Sequence, residues 1–166
     1  MVNSQPYPVT SNKKTYNYFN DFYSYCLDTF QWSQLKPNGQ VPCPRSAAPL
    51  VTLIPQSSDQ PTTMFIIGGY SKEKKENKDK GQVHQDVFQI QQQQDDFWTY
   101  RQVKISGQKP DARCGSSLVQ IPNQNMTVLF GGVMDTEDSN DRMRSSFYND
   151  LHRFDLHKLK WYPVEL

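Results

Sequence analysis

The sequence has no apolar run long enough to cross a bilayer, and its N-terminus lacks the apolar segment of a secretory signal. Alanine is scarce and proline plentiful, which argues against long helices. Neither sign of charge dominates: the formal net charge is +1, so no global field points to nucleic acid or to an anionic membrane. Cysteine is sparse as well. Cys26, Cys43 and Cys114 are odd in number, scattered and without metal-ligand spacing. They read as reduced thiols of a cytoplasmic or nuclear protein that is not secreted. On that reading the Asn125-Met126-Thr127 sequon is coincidental. Chemical motifs are also missing. There is no nucleophile elbow, phosphate loop, dinucleotide fingerprint or His/Cys/Glu cluster with metal spacing, so no catalytic residue, metal or cofactor is expected. Of the histidines His84, His152 and His157, the last two fall on opposite faces if one strand continues between them. The carboxylates of Asp95-Asp96 and of residues 135–141 read as solvated.

Nine Tyr, nine Phe and three Trp are present, a composition that suits strands, and 36% apolar content allows a core without being generous. The aromatics recur in a pattern. Phe19-Asn20-Asp21-Phe22-Tyr23-Ser24-Tyr25, His84-Gln85-Asp86-Val87-Phe88-Gln89-Ile90 and Tyr148-Asn149-Asp150-Leu151-His152-Arg153-Phe154 each place apolar residues at alternate positions after an Asp. That is the period of a half-buried strand. Trp32, Trp98 and Trp161 follow these Asp residues by 11, 12 and 11 positions. After the first two Trp come Pro42-Cys43-Pro44-Arg45-Ser46 and Pro110-Asp111-Ala112-Arg113-Cys114-Gly115. Each leads to an apolar run and then to a second one closed by a glycine pair, Gly68-Gly69 and Gly131-Gly132. Four marks thus return in one order at a period of 63 to 65 residues.

This order resembles the kelch repeat. The closer resemblance is to the kelch domain-containing protein 4 family. It is carried by Gly68-Gly69-Tyr70-Ser71-Lys72, Asp79-Lys80-Gly81, His84-Gln85-Asp86-Val87-Phe88, Gly131-Gly132-Val133 with an acidic loop after it, and Phe147-Tyr148-Asn149-Asp150-Leu151. The resemblance implies an all-β chain, a kelch β-propeller fragment of about two and a half four-stranded antiparallel blades that is not a closed ring alone. Residues 1–17 read as an irregular lead-in and 18–44 as the last two strands of a preceding blade. Residues 45–106 form one complete blade with a charged inserted loop at 71–83, and 107–166 a second with a charged inserted loop at 134–147.

Residue types suit that plan. Gly68, Gly69, Gly131 and Gly132 end strands where the chain turns sharply or admits a side chain against bare backbone. Trp32, Trp98 and Trp161 fill the wedge between blades. Arg45 and Arg113 stack on aromatics or donate to carbonyls in the blade core. Asp21, Asp86 and Asp150 accept hydrogen bonds from turn amides. Marks present in every unit read as architecture, because a catalytic site is usually unique. Function is sought where the repeats differ. Lys72, Lys74, Lys75, Lys78 and Lys80 give the first insertion a basic excess, while Asp135, Glu137, Asp138, Asp141, Arg142 and Arg144 make the second acidic and then basic. Both join equivalent strands, so both emerge on one face, where long loops on a rigid scaffold commonly bind. The resemblance implies a non-catalytic scaffold for an unidentified protein partner, without nucleic acid or membrane. Substrate recognition within a ubiquitin-ligase adaptor is the alternative, and an enzyme with a propeller-mouth site the remote one.

Overall fold

The computed structural model describes residues 17–55, 57, 59–75, 78–93, 97–137 and 142–165, and every element among them is a strand. The chain opens with a hairpin, β1 (Phe22–Cys26) and β2 (Gln31–Leu35), in which Tyr25 sits opposite Trp32. β3 (Asn38–Gly39), β4 (Leu50–Leu53), β5 (Thr63–Lys75), β6 (Lys78–Gln92) and β7 (Trp98–Val103) build one sheet in the order β3-β7-β6-β5-β4. β8 (Ser106–Gly107), β9 (Ser117–Gln120), β10 (Met126–Phe130), β13 (Leu151–Asp155) and β14 (Lys160–Val164) build the next, ordered β8-β14-β13-β10-β9. Between β10 and β13 the chain makes a two-stranded ribbon of β11 (Val133–Glu137) and β12 (Met143–Phe147). Each large sheet is therefore a four-stranded antiparallel meander, or blade, and none of the sheets closes on itself.

Alternation of side chains buries one face of each blade against its neighbour. Val51, Phe65, Ile67, Val87 and Val103 of the first complete blade meet Leu129, Phe154, Leu156 and Trp161 of the second in one continuous core. Burial of aliphatic and aromatic groups of this size stabilises by about 1.5–3 kcal/mol each, which makes this seam the main cohesive element of the fold. Polar clasps frame it. The Asn125 amide brackets the Ile54 backbone, accepting from its N–H at 2.6 Å and donating to its carbonyl at 3.1 Å. Gln120 Nε2 donates to the Thr52 carbonyl at 2.7 Å, and Gln85 Nε2 donates to the Pro110 carbonyl at 3.1 Å. Asn20 Nδ2 makes the same kind of contact to the Pro42 carbonyl, at 3.2 Å, between the opening hairpin and the first complete blade. The amide that precedes the repeating Asp thus ties each unit to the next.

The short strands β3 and β8 add a fifth, parallel member to the outer edge of the blade that follows them. Asn38 and Gly39 pair with Thr99 and Tyr100, and Ser106 and Gly107 pair with Lys160 and Trp161. Gly39 (φ 98°) and Gly107 (φ 81°) carry left-handed backbone, and a Cβ at either would overlap the carbonyl oxygen of Tyr100 or Trp161. Only glycine fits there.

These contacts correct one repeat mark. Trp32 lies opposite Tyr25, Trp161 opposite Phe154, and Tyr100 opposite Ile90, with each inner residue four positions beyond its Asp. Tyr100, rather than Trp98, is the equivalent of Trp32 and Trp161. Between paired positions the turn from β6 to β7 is three residues longer than its counterparts, so a count of 11 from Asp86 lands three positions short of Tyr100, next to Trp98. Trp98 shares the face of Tyr100 and packs edge-on against Phe22 at 5.8 Å, which keeps it at a blade interface. Trp161 is 3% exposed, whereas Trp32 is 70% exposed and sets its ring against those of Tyr23 and Tyr25 in its own hairpin.

Candidate functional site

The recurring Arg and Asp meet. Arg45 donates through Nη1 and Nη2 to Asp86 Oδ1 and Oδ2 at 2.5 and 3.1 Å, and through Nη1 to the Gly68 carbonyl at 2.9 Å. Arg113 repeats this. Its Nη1 and Nη2 donate to Asp150 Oδ1 and Oδ2, the latter at 3.0 Å, while Nη1 also reaches the Gly131 carbonyl at 3.2 Å. Each Nε donates to the carbonyl two residues back, Cys43 at 3.1 Å and Asp111 at 3.0 Å. The donation to carbonyls and the stacking on aromatics are as expected: Arg113 lies 3.7 Å from the Tyr148 ring centroid and Arg45 5.5 Å from that of Phe88. The partner of Asp86 and Asp150 differs from expectation, since each takes a guanidinium fork in place of turn amides. A fixed bidentate fork satisfies both carboxylate oxygens at once, which scattered amides cannot do. Asp21 has no hydrogen-bond or ion-pair partner among the described residues.

The glycine pairs make room for this. Gly68 and Gly131 have φ near +65°, and Gly69 and Gly132 near +110°. A Cβ on Gly69 would press within 3.1 Å of Arg45 Cδ, and one on Gly132 within 3.3 Å of Arg113 Cδ. The pair therefore both turns the chain and admits the arginine. The neighbouring His152 is buried and its Nε2 lies 3.0 Å from Asp150 Oδ2. Together Arg113, first, and His152 hold the Asp150 carboxyl well below the ordinary carboxylate range, against the opposing effect of burial. His157 sits in the turn beyond β13, bonded to Asn125 at 2.8 Å. The strand ends at Asp155, so the condition that placed the two histidines on opposite faces of one strand is not met.

The two insertions expected as loops are instead ribbons. At the glycine pair β5 and β6 pass through a bulge between Ile67 and Gly69, then resume pairing as far as Lys75 opposite Lys78. The second insertion pairs from Val133 opposite Phe147 to Glu137 opposite Met143. In these ladders the two arms of each ribbon satisfy one another's backbone amides and carbonyls. Lys74, Lys75, Lys78 and Glu137 are placed by their ladder positions, while Asp138 and Asp141 lie outside the described residues. Lys72 is half-buried, and Lys80, Asp135, Arg142 and Arg144 are exposed. Burial chiefly raises the Tyr70 phenol pKa, Lys72 opposes that rise, and Tyr18, Cys114 and, last, Asp135 of the second ribbon add to it. Tyr70 also covers Gly81 across its own ribbon, where a Cβ would fall 2.5 Å from the phenol oxygen. Within the second ribbon Ser145 Oγ donates to Asp135 Oδ1 at 2.6 Å.

Sequence reading passed over the clasp glycines and the amides beside the Asp. Both had a signal. Gly39-Gln40 and Gly107-Gln108 stand six residues ahead of Arg45 and Arg113, and Asn20, Gln85 and Asn149 each precede a repeating Asp. Between the two complete blades lies an apolar crevice of about 570 Å³, open mouth included, lined among others by Ile67, Gly69, Gln85, Ile105, Pro110 and Trp161. Among the described residues no group of three or more His, Cys, Asp or Glu could hold a metal ion, and no helix is long and apolar enough to cross a membrane.

Comparison with known families agrees with this architecture. Residues 10–166 match the KLHDC2/KLHL20/DRC7 Kelch-repeats domain, a match that supports the kelch repeat and leaves the finer kelch domain-containing protein 4 resemblance as a separate matter. Kelch repeats generally mediate protein–protein interaction and are typically non-catalytic. With its glycine pairs, Arg–Asp forks and four-stranded blades, the chain belongs to the KLHDC2/KLHL20/DRC7 kelch-repeat family and forms part of a kelch β-propeller.

Proposed function

We propose that the two charged ribbons form a protein-docking face and that the Arg–Asp blades beneath them serve as its rigid support. The observation that carries this reading is that both insertions are paired ribbons leaving equivalent points of adjacent blades, directly after Gly68-Gly69 and Gly131-Gly132. Two paired ribbons side by side offer a preorganised surface, which lowers the entropy lost when a partner is bound. Their charges, Lys72 and Lys80 on one and Asp135, Arg142 and Arg144 on the other, suit a charged partner segment and favour steered encounter. The ribbon residues are also those that carry the kelch domain-containing protein 4 resemblance, and that closer kinship is part of the proposal. Free Cys26, Cys43 and Cys114 support a location inside the cell, which imaging of a fluorescent fusion tests.

The test is to replace residues 72–81 and 135–145 with two-residue turns, leaving Ser71 and the glycine pairs in place, and to compare cross-linked partner recovery with the unaltered chain. Loss of specific partners with an unchanged melting curve supports the reading. Unchanged recovery sinks it.

A further inference from the structure

The first complete blade holds a constellation of side chains that the second does not repeat. Arg45 commits all five of its guanidinium hydrogens: Nε to the Cys43 carbonyl, Nη1 to Asp86 and the Gly68 carbonyl, and Nη2 to Asp86 and to Cys43 Sγ at 3.2 Å. The same sulfur lies 3.6 Å from His84 Nε2 and 4.0 Å from its Nδ1, and Ser71 Oγ lies 2.8 Å from that Nε2. Ser71 and His84 are 5% and 8% exposed, so packing holds the ring beside the thiol. Counted from Arg113, Gly132 and Asp150, the second blade has Asp111, Met134 and Tyr148 where the first has Cys43, Ser71 and His84. The glycines bear out this match, because Gly68 faces the His84 carbonyl and Gly131 that of Tyr148. The Arg–Asp fork itself is architecture. A thiol, an imidazole and a hydroxyl gathered on one copy of it are not required for the fork, since Arg113 closes on Asp150 without them.

We propose that Cys43 is a redox modification site, oxidised by hydrogen peroxide to a sulfenic acid, with Arg45 and His84 as the groups that prepare it. The reactive form of a thiol is the thiolate, which forms beside cationic donors. Arg45 Nη2 gives the sulfur a charge-assisted hydrogen bond, and His84 takes the thiol proton. Ser71 serves the ring in both protonation states, since a hydroxyl can donate to a bare Nε2 and accept from a protonated one. The thiolate then attacks one peroxide oxygen. An S–O bond forms, the O–O bond breaks, and the leaving hydroxide takes the proton held by His84 to become water. Sulfur loses two electrons and the peroxide gains them. Cys43 is exposed among the described residues. The other thiols are placed differently. Cys114 donates to the Val133 carbonyl, and Cys26 is exposed with its thiol pKa lowered by hydrogen bonds from Thr29 and then Asp28. Ser71 opens the first ribbon and His84 pairs with Gly69, so the modification falls at the joint between blade and ribbon.

The test exposes the full chain to hydrogen peroxide in the presence of dimedone, which traps sulfenic acid, and reads the labelling of each cysteine by peptide mass spectrometry. Cys43 should be trapped about tenfold faster in the folded chain than in the urea-unfolded chain at the same pH, the scale of one charge-assisted hydrogen bond to the thiolate. His84→Gln should return the Cys43 rate toward its unfolded value while leaving that of Cys26 unchanged. Ser71→Ala, which removes only the ring's hydroxyl partner, should lower the Cys43 rate in the same direction. Thermal melts show whether each variant folds, and where His84→Gln does not, Ser71→Ala carries the comparison. A Cys43 rate no greater in the folded chain than in the unfolded one overturns the proposal, whether the thiol is shielded or merely ordinary. So does a folded-chain gain that the folded variants leave intact, because the imidazole would then have no part in it.

Discussion

Arg113 grips Asp150 with both arms of its guanidinium while lying flat over the Tyr148 ring. Its own side chain is only 3% exposed, whereas that of Asp150 is 42% exposed. The strain of losing the contact therefore falls on the arginine, which would be left buried and uncompensated. Because Asp150 is held below the ordinary carboxylate range, the folded chain binds fewer protons than the unfolded one once pH falls near 4. The stabilisation is present above that pH and is lost as acid protonates the folded carboxyl. Urea midpoints measured from pH 7 downward should fall through this window, and Asp150→Asn should flatten the fall while lowering the neutral-pH midpoint.

Asp86 and Asp21 are the same repeat position with and without an arginine. Asp86→Asn should destabilise by about 3 kcal/mol, the scale of breaking a buried pair from one side. Asp21→Asn should change stability by less than about 0.5 kcal/mol, as ordinary exposed substitutions do. Comparable losses for both, read from chemical denaturation, would contradict the assignment of the fork.

Gly107→Ala should be costly despite adding one methyl group. The left-handed φ and the overlap with the Trp161 carbonyl both oppose it, for a loss of about 2 kcal/mol or more. Gly115, also left-handed at φ 66° but with nothing within 4 Å of a Cβ, should lose about 1 kcal/mol as alanine. Thermal melts of the two variants side by side separate the steric part from the backbone part.

Tryptophan emission should resolve into a blue component from Trp161 and a red one from Trp32. Trp161→Phe should remove the acrylamide-resistant fraction and loosen the seam between blades by about 1–3 kcal/mol. Trp32→Phe should remove the readily quenched fraction with little effect on stability.

Much of the fold was legible because it repeats. Glycine pairs, Arg45, Arg113, Asp86 and Asp150 recur at fixed spacing, and alternation around each Asp announced the strands. Partnership was less legible. Asp was assigned to turn amides because local contacts are the ones a sequence displays, whereas the arginine arrives from 37 or 41 residues earlier. Tyr100 is hidden from the count because one hairpin is expanded by three residues, and Trp98 stands one position from where the count ends. The insertions read as loops because their charged composition is that of solvated segments, while ladder formation depends on cross-strand pairing that composition does not reveal.

The clasp strands impose an order in time. Asn38-Gly39 and Ser106-Gly107 each precede the blade whose outer edge they pair with. During synthesis from the N-terminus, the partner of β7 or β14 has already emerged when that strand appears. The last strand of each new blade is thus met by waiting backbone as it is made, and sideways pairing with another nascent chain is pre-empted at the moment when aggregation is most probable.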